Sequence, residues 1–115
     1  MAGLGDLERV VMDLLWSRPN GGTVREVSDA LPDRKLAYTT LMTVLDRLTR
    51  KGFLDRTLEG RAWRYQPVHS RDHYVTELML GALALTGDRD AALVHFAKSV
   101  SSDEAAVLRR ALRRS

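Results

Sequence analysis

The stretch LAYTTLMTVLDRLTRKGFL, residues 36–54, decides the fold of this chain. It predicts a helix over residues 38–51, because its aliphatic residues recur at the spacing of one helical face. Gly52 comes directly after this pattern, where a glycine favours the left-handed backbone that ends many helices. The aliphatic residues, which we expect to lie in a core, are Leu41, Val44, Leu45 and Leu48.

The face opposite this aliphatic stripe begins with threonines, although β-branched side chains make threonine a poor helix former. A threonine hydroxyl donates or accepts a hydrogen bond, and its methyl group packs against the methyl group of thymine. Arginines further along the helix bind phosphate or the edge of guanine. We interpret this face as a DNA-reading surface formed by Thr39, Thr40, Met42, Thr43, Arg47 and Arg50.

Two patterns before this stretch predict helices that pack beside it. Residues 6–16 have apolar side chains on one face, which indicates an amphipathic helix. Thr23 and Glu26 form a capping-box pattern, which predicts a second, short helix that runs to about Leu31. Residues 32–35 begin with a proline and are expected to form a turn.

The sequence after Gly52 indicates a β-hairpin. Residues 53–57 and 62–66 are predicted strands, and residues 58–61 contain a glycine and are expected to form the turn. Pro67 has no amide hydrogen, so we expect it to end the second strand. Three helices followed by a hairpin is the order of a winged helix-turn-helix, whose recognition helix enters the major groove. In the wing, the arginines expected to hold the DNA backbone are Arg61 at the hairpin tip and Arg56 and Arg64 on its strands.

The positive charge of the chain is concentrated around this predicted motif. The 115 residues carry a net charge of +3 at pH 7. Residues 34–71 alone hold nine lysines and arginines against three acids, so the rest of the chain is net negative. A local basic segment favours binding to a polyanion such as nucleic acid. The alternative is a solvated charged surface without a partner.

The sequence from Ser70 onward predicts further helices. The first, which we expect to extend to Leu85, is apolar on nearly all sides, so we expect it to be buried between two subunits. A second helix is predicted at residues 90–100, and a third begins at the capping box of Ser101 and Glu104. The residues expected in the subunit interface are Tyr74, Leu78, Leu85, Phe96, Leu108 and Leu112.

These patterns together predict a mainly α fold with a small β-hairpin. We expect a winged helix-turn-helix DNA-binding domain at residues 1–68 and a helical dimerisation module at residues 69–115. A homodimer of this kind binds a palindromic site on double-stranded DNA, because the two-fold axis of the protein matches that of the DNA.

Four segments carry a family resemblance: DLERVVMDLLW (6–16), TVREV (23–27), AYTTLMTVLDRLTRKGFL (37–54) and GRAWRYQPV (60–68). They resemble the penicillinase-repressor family (BlaI/MecI type), most closely over about residues 4–70. The resemblance implies a dimeric winged-helix repressor that binds an inverted-repeat operator with a TACA/TGTA core. It also implies base or phosphate contacts by Thr39, Thr40, Thr43 and Arg47, and wing contacts by Arg61 and Arg64.

The same resemblance implies a helical C-terminal dimerisation module and a route of inactivation. In typical members a membrane-bound sensor protease triggers cleavage of this module, in a segment similar to AALVHFAK at residues 91–98. The cleaved pair would be His95–Phe96, whereas typical members have Asn-Phe there. The alternative role for Phe96 is that of a core aromatic side chain between apolar neighbours.

Composition and motifs argue against other classes of chemistry. The chain has no cysteine, which excludes disulfides and thiolate metal sites, and no catalytic or phosphate-cradling motif, so we expect neither an enzyme nor a cofactor. His69 and His73 have the spacing of metal ligands. His69 precedes the helix cap at Ser70 and no third ligand shares the spacing, so we expect no metal site. The N-terminal residues resemble neither a signal peptide nor a membrane span, which predicts a cytoplasmic protein.

Two other functions are compatible with a winged helix. One is a regulator of the multiple-antibiotic-resistance-regulator kind, which senses a small molecule or a metal directly. Such regulators usually carry longer helices around the motif, which this chain lacks at its N-terminus. The other is a winged-helix module that binds only protein, whose interactions would lack the steep salt dependence of DNA binding.

Overall fold

The computed structural model of the protein describes residues 3–32 and 36–114. Residues 33–35 lie outside the described residues. They include most of the predicted turn and two cations of the basic segment, Arg34 and Lys35. The helices are α1 (Asp6–Trp16), α2 (Val24–Ala30), α3 (Tyr38–Arg50), α4 (Arg71–Leu83), α5 (Arg89–Ser99) and α6 (Ser102–Arg113). The strands are β1 (Gly22–Thr23), β2 (Leu54–Glu59) and β3 (Ala62–Pro67). This order of elements confirms the predicted mainly α, winged helix-turn-helix fold.

The start of α2 and the end of α3 form as the local sequence predicts. At the start of α2, the Glu26 amide donates to the Thr23 hydroxyl at 3.2 Å. The Thr23 amide in turn donates to a Glu26 carboxylate oxygen at 3.1 Å, so the capping box is confirmed. Gly52 follows α3 with a φ of 87°, the left-handed backbone that a glycine adopts without strain.

The three strands form one antiparallel sheet in the order β1-β3-β2. Strand β1, which pairs Gly22 with Tyr65, was not predicted, because two residues are too few to show an alternating pattern. The hairpin turn is also shorter than predicted, since only Gly60 and Arg61 connect the strands. Gly60 has a φ of 62°, which suits a two-residue turn whose twist matches the strands. Strand β3 ends at Pro67, as predicted.

Gly21 lies where the loop after α1 meets strand β3. Its φ is 65°, and a β-carbon built at this position would overlap the carbonyl oxygen of Tyr65. The loop is closed on its other side by hydrogen bonds, from the Gly21 amide to the Arg18 carbonyl at 3.1 Å and from Arg18 Nε to the Gly21 carbonyl at 3.2 Å. The position therefore requires glycine.

One hydrophobic core joins α1, α2 and α3 to the base of the hairpin. Helix α3 contributes the whole predicted stripe, of which Leu45 and Leu48 are completely buried. Leu54 of β2 and Tyr65 of β3 bring the hairpin into the same core. Each such side chain stabilises the fold by roughly 1.5–3 kcal/mol relative to exposure. The other core residues are Val11, Met12, Leu15, Val24, Val27, Leu31, Leu41 and Val44.

An ion pair joins the start of α1 to the end of α3. Glu8 is only 4% exposed, and Lys51 Nζ lies 2.8 and 3.1 Å from its two carboxylate oxygens. The Gly5 amide donates to the same carboxylate at 2.8 Å. Burial by itself raises the pKa of Glu8, but these hydrogen bonds and the charges of Lys51 and Arg47 lower it below its usual range overall. The carboxylate is therefore ionised and holds α3 to α1.

Tyr74 of α4 packs against aromatic side chains of the winged-helix part. Its ring lies 5.4 Å from that of Trp16 and 5.7 Å from that of Phe53, and the residue is 6% exposed. The chain divides into two compact units, and the first extends to Leu78, beyond the expected boundary at residue 68. Tyr74 was expected in the subunit interface, but this single chain already buries its ring, so the ring offers little surface to a partner.

The second compact unit begins at Met79 and contains α5 and α6. The capping box of Ser101 and Glu104 at the start of α6 is confirmed, with hydrogen bonds of 3.1 and 2.8 Å. Between Met79 and Arg114 no residue is buried within this chain. None of the helices in the described part of the chain is both long and apolar enough to cross a lipid bilayer.

The predicted extension of α4 to Leu85 was wrong, because the helix ends at Leu83. In the turn that follows, the Asp88 amide donates to the Thr86 hydroxyl at 3.1 Å. Asp88 also caps α5, where its side chain accepts from the Ala91 amide at 3.1 Å. Leu85 consequently lies in the turn and is 89% exposed.

We predict that Glu8→Gln lowers the free energy of unfolding at pH 7 by about 1 kcal/mol, because Lys51 loses its anionic partner. The lowered pKa of Glu8 means that the pair stabilises the wild type above the unfolded-state pKa, and that this contribution is lost as pH falls through the folded-state pKa. The stability difference between the two proteins should therefore shrink below pH 4.5. Urea titrations from pH 3 to pH 7 measure it, and a difference independent of pH would contradict the role of the pair.

Candidate nucleic-acid interface

The exposed face of α3 presents the residues that the sequence predicts as DNA-reading. Thr39, Thr40 and Thr43 are exposed, and Met42 is 46% exposed. The Thr43 hydroxyl donates to the Thr39 carbonyl at 3.0 Å, so its oxygen remains able to accept a hydrogen bond from a base. The side chains thus form a low hydroxyl and methyl surface, which the deep major groove admits.

Tyr38 belongs to the same surface, although it was not among the predicted DNA-reading residues. It is the first residue of α3 and is 54% exposed. Its phenol adds a donor and acceptor beside Thr39. Its position in the sequence could have indicated this role, because the first turn of a recognition helix is the part that faces base edges.

The basic residues at the end of α3 differ in their partners. Arg47 is exposed and makes no ion pair with any residue in the described ranges. Arg50 lies 3.0 Å from Asp46, but both side chains are largely exposed, so water and salt weaken the pair and a phosphate can replace it. Lys51 binds Glu8 and is a structural residue.

The arginines predicted for the wing differ in their partners. Arg61 lies in the hairpin turn and is exposed, with no ion pair to the described residues. Arg64 instead lies between two carboxylates, 3.0 Å from Glu26 of α2 and 2.6 Å from Glu59 of β2. It also donates to the Asn20 carbonyl at 3.2 Å.

These bonds favour a structural role for Arg64, whose DNA contact stays a prediction. The hydrogen bonds that Arg64 donates, first to Glu59 and then to Glu26, raise the pKa of Arg64 well above its usual range. The same hydrogen bonds lower the pKa of both glutamates. The positive charge of the guanidinium is therefore balanced by two carboxylates of the protein itself. Its role is to hold the hairpin to the loop after α1 and to the first turn of α2. Sequence spacing gives no signal for this, because Glu26 lies 38 residues away.

The third predicted wing arginine, Arg56, lies on an aromatic ring. The guanidinium carbon of Arg56 on β2 lies 4.3 Å from the centre of the Trp63 ring on β3. Arg56 makes no ion pair with the described residues, so its charge remains available. Together with Arg47 and Arg61, it accounts for the unpaired positive charge of the described basic segment.

The histidines considered as metal ligands lie apart from this surface. The rings of His69 and His73 stack with centres 3.9 Å apart, and the Trp16 indole donates to the His69 carbonyl at 3.0 Å. They line a small cavity of about 80 Å³ beside Phe53 and Tyr74. Within residues 3–32 and 36–114, no three His, Asp or Glu side chains converge in a way that would hold a metal ion.

Comparison with known proteins identifies the family. The model of the penicillinase repressor family matches residues 4–114 of this chain. The chain belongs to the penicillinase repressor family. This chain is similar to the transcriptional regulator BlaI of Mycobacterium tuberculosis, from strains CDC 1551 and H37Rv. It is 57% identical over 113 residues, which cover 95% of this chain and 82% of the relative.

One solved structure supports the same assignment, and a second shares the fold. The DNA-binding domain of the repressor BlaI matches it with a TM-score of 0.55 and 30% identity, covering 62% of this chain and 87% of that domain. A MarR family protein from Bacillus stearothermophilus matches with a TM-score of 0.53 over 98% of this chain and 73% of that protein. At 21% identity, this second likeness shows the fold alone.

Membership of the penicillinase repressor family confirms the resemblance read from the sequence. The chain is a DNA-binding transcriptional repressor of the BlaI type. The expectation that it is not an enzyme is also confirmed, because its relatives are named as transcriptional regulators.

We predict that Arg64→Gln lowers the thermal unfolding midpoint, because Glu26 and Glu59 lose their shared cation. The salt dependence of DNA binding should stay unchanged, since that guanidinium is already neutralised. The matched control is Arg61→Gln, which should leave the midpoint unchanged and reduce the salt dependence. Differential scanning calorimetry and salt titrations of DNA binding measure the two effects. An equal loss of salt dependence in both variants would mean that Arg64 binds phosphate after all.

Proposed function

We propose that this family member acts as a homodimeric repressor that binds an inverted-repeat operator through α3 and the wing. The observation that carries the proposal is the division of α3 into two faces. One face consists of Leu41, Leu45 and Leu48 and is buried. The other face exposes threonines followed by Arg47, which makes no ion pair with a described residue. An exposed helix face of this composition suits the major groove.

The chemistry of this face suits an operator rich in A·T pairs, such as one with a TACA/TGTA core. The methyl groups of Thr39, Thr40 and Thr43 provide apolar contacts for thymine methyl groups, and Met42 adds a longer one. The hydroxyls of Thr39 and Thr40 are suited to accept from the adenine amino group or to donate to thymine O4, and that of Thr43 to accept. Arg47, further along α3, is suited to a phosphate or to a guanine of the same half-site.

Dimerisation is supported by the exposed apolar side chains of the C-terminal helices. Helices α5 and α6 bury none of their residues within this chain. A group of helices that buries so little does not offset the conformational entropy of its own folding. Covering the apolar residues with a second copy supplies the missing burial. They include Leu78, Leu80, Leu93, Phe96, Leu108 and Leu112.

A two-fold dimer would place two copies of α3 in the major groove on one side of the duplex. Their half-sites should be separated by one helical turn, about 10 base pairs, or by a simple multiple of it. Such a complex represses by occupying a promoter and excluding polymerase. The C-terminal helices would hold the two DNA-binding units at this spacing.

Cleavage by a partner protease would have to open helix α5. The peptide bond between His95 and Phe96 lies in the middle of that helix, and the Val100 amide donates to the Phe96 carbonyl at 3.2 Å. A protease binds an extended chain, so the helix must unwind locally before this bond is cut. Phe96 is also 38% exposed and apolar. We therefore propose Phe96 as an interface residue, whose separation from a partner would precede any cleavage by a sensor protease.

We predict that Thr43→Ala costs about 1 kcal/mol of discrimination between the operator and a duplex with a changed half-site. The operator is the palindrome enriched when the full-length protein selects genomic fragments. Fluorescence anisotropy gives the dissociation constants for both duplexes. Arg61→Gln is the comparison variant, because a lost phosphate contact should weaken both duplexes by a similar factor. Equal weakening of both duplexes by Thr43→Ala would contradict base reading by this residue.

We predict that Leu78→Asp yields monomers, because a carboxylate in an apolar interface loses its hydration without gaining a partner. Light scattering at micromolar protein measures the mass, and the operator affinity should fall with it. Thr76→Asp provides the matched control, since Thr76 is an exposed polar residue of the same helix. A Leu78→Asp protein that remains dimeric would move the interface away from α4.

A further inference from the structure

The two faces of the wing hairpin differ in composition. Strand register places Arg56 opposite Tyr65 and Leu58 opposite Trp63, so these residues share one face. The other face carries Asp55 and Glu59 together with Thr57, Ala62, Arg64 and Gln66. Its one cation, Arg64, is neutralised by Glu26 and Glu59. A phosphate backbone approaching that second face would meet carboxylates, whereas the first face offers it positive charge.

The first face is anchored at its base and exposed towards its tip. Tyr65 is 3% exposed in the core, whereas Trp63 is 39% exposed and Leu58 is 58% exposed. Trp63 and Leu58 form a cross-strand pair, so the indole has a fixed neighbour on the sheet. The hairpin thus holds a large aromatic surface in water beyond the last residue that the core covers.

Arg56 lies on this aromatic surface although carboxylates are close along the chain. Its guanidinium carbon is 4.3 Å from the centre of the Trp63 ring, within the range of a cation–π contact. Neither Asp55 nor any other described acid forms an ion pair with it. Stacking on the ring orders the long side chain while leaving its N–H groups free to donate. An arginine held in this way is prepared to bind an anion.

We propose that Trp63 and Arg56 form a second DNA-contacting element, which binds the sugar–phosphate backbone of the operator. Trp63 packs against deoxyribose and positions Arg56, and the Arg56 guanidinium donates to a phosphate oxygen. Arg61 in the adjacent turn extends the positive surface in the same part of the wing. This inference rests on the proposed function, because it takes the wing to lie on the same duplex as α3.

This element recognises the backbone and not the base sequence. Deoxyribose and phosphate are the same at every step, so the contact should strengthen binding to operator and unrelated DNA alike. It would therefore set the register and total affinity of the repressor, while α3 supplies discrimination. The acidic face of the hairpin, with Asp55 and Glu59, would point away from the duplex.

The unmodified sequence allows a direct test, because the chain has two tryptophans in different environments. Full-length protein labelled with 5-fluorotryptophan should show two fluorine resonances, assigned with Trp63→Phe. Adding the selected operator or an unrelated duplex of equal length should shift the Trp63 resonance and leave that of Trp16 nearly unchanged. A complex that forms with an unshifted Trp63 resonance overturns the element but leaves the proposed function intact. Failure to bind any duplex at low salt overturns both.

Substitutions then separate the contact from a purely structural role. Trp63→Ala and Arg56→Gln should each weaken both duplexes about fivefold, and the double variant should lose less than the product of the two factors. Arg56→Gln should also reduce the slope of log affinity against log salt by about one per protomer. Thr57→Ala, on the other face of the hairpin, is the matched control and should change neither quantity. Unchanged affinity in Trp63→Ala, or an unchanged salt slope in Arg56→Gln, would overturn the proposal.

Discussion

The burial of one face of α3 is the constraint on which the rest of the molecule depends. Leu45 and Leu48 are completely buried against the first two helices and the hairpin, so α3 cannot rotate about its own axis. The ion pair between Glu8 and Lys51 restrains its C-terminal end. With one face fixed, the threonines on the opposite face have a single orientation. The orientation of the proposed DNA-reading surface is therefore a consequence of core packing, and a protein partner is not needed to order it.

The helices of the winged-helix unit were predictable because each repeats a local pattern. The stripe of α3, the capping box at Thr23 and the glycine at Gly52 each involve residues within a few positions of one another. Strand β1 was not predictable, since it exists only through pairing with Tyr65, far along the chain. The prediction that Tyr74 lies in a subunit interface failed for a related reason. An apolar residue on an apolar helix has no sequence signal that distinguishes burial within the chain from burial against a partner.

The candidate site was predictable in its α3 part and less so in the wing. Exposed hydroxyls opposite an aliphatic stripe are visible in the sequence, whereas ion pairs between distant residues are not. Nothing in the sequence distinguishes Arg61 from Arg64. In the structure Arg64 binds Glu26, 38 residues away, whereas Arg61 makes no ion pair with a described acid. The basic segment as a whole overstates the charge available to DNA, because Lys51 is also bound by a distant acid. Register alone places Arg56 and Trp63 together, so that pair required the correct hairpin turn.

Gly21 has a consequence for the genetics of repression. A side chain at this position must push the loop away from the Tyr65 carbonyl, and strand β1 would move with the loop. The displacement would carry Glu26 away from Arg64 and release the wing. Alleles that lose repression should therefore include substitutions at Gly21, which leave every side chain proposed to read bases in place. Such alleles would retain the operator preference of the wild type while binding all DNA less tightly, a phenotype that separates them from changes in α3.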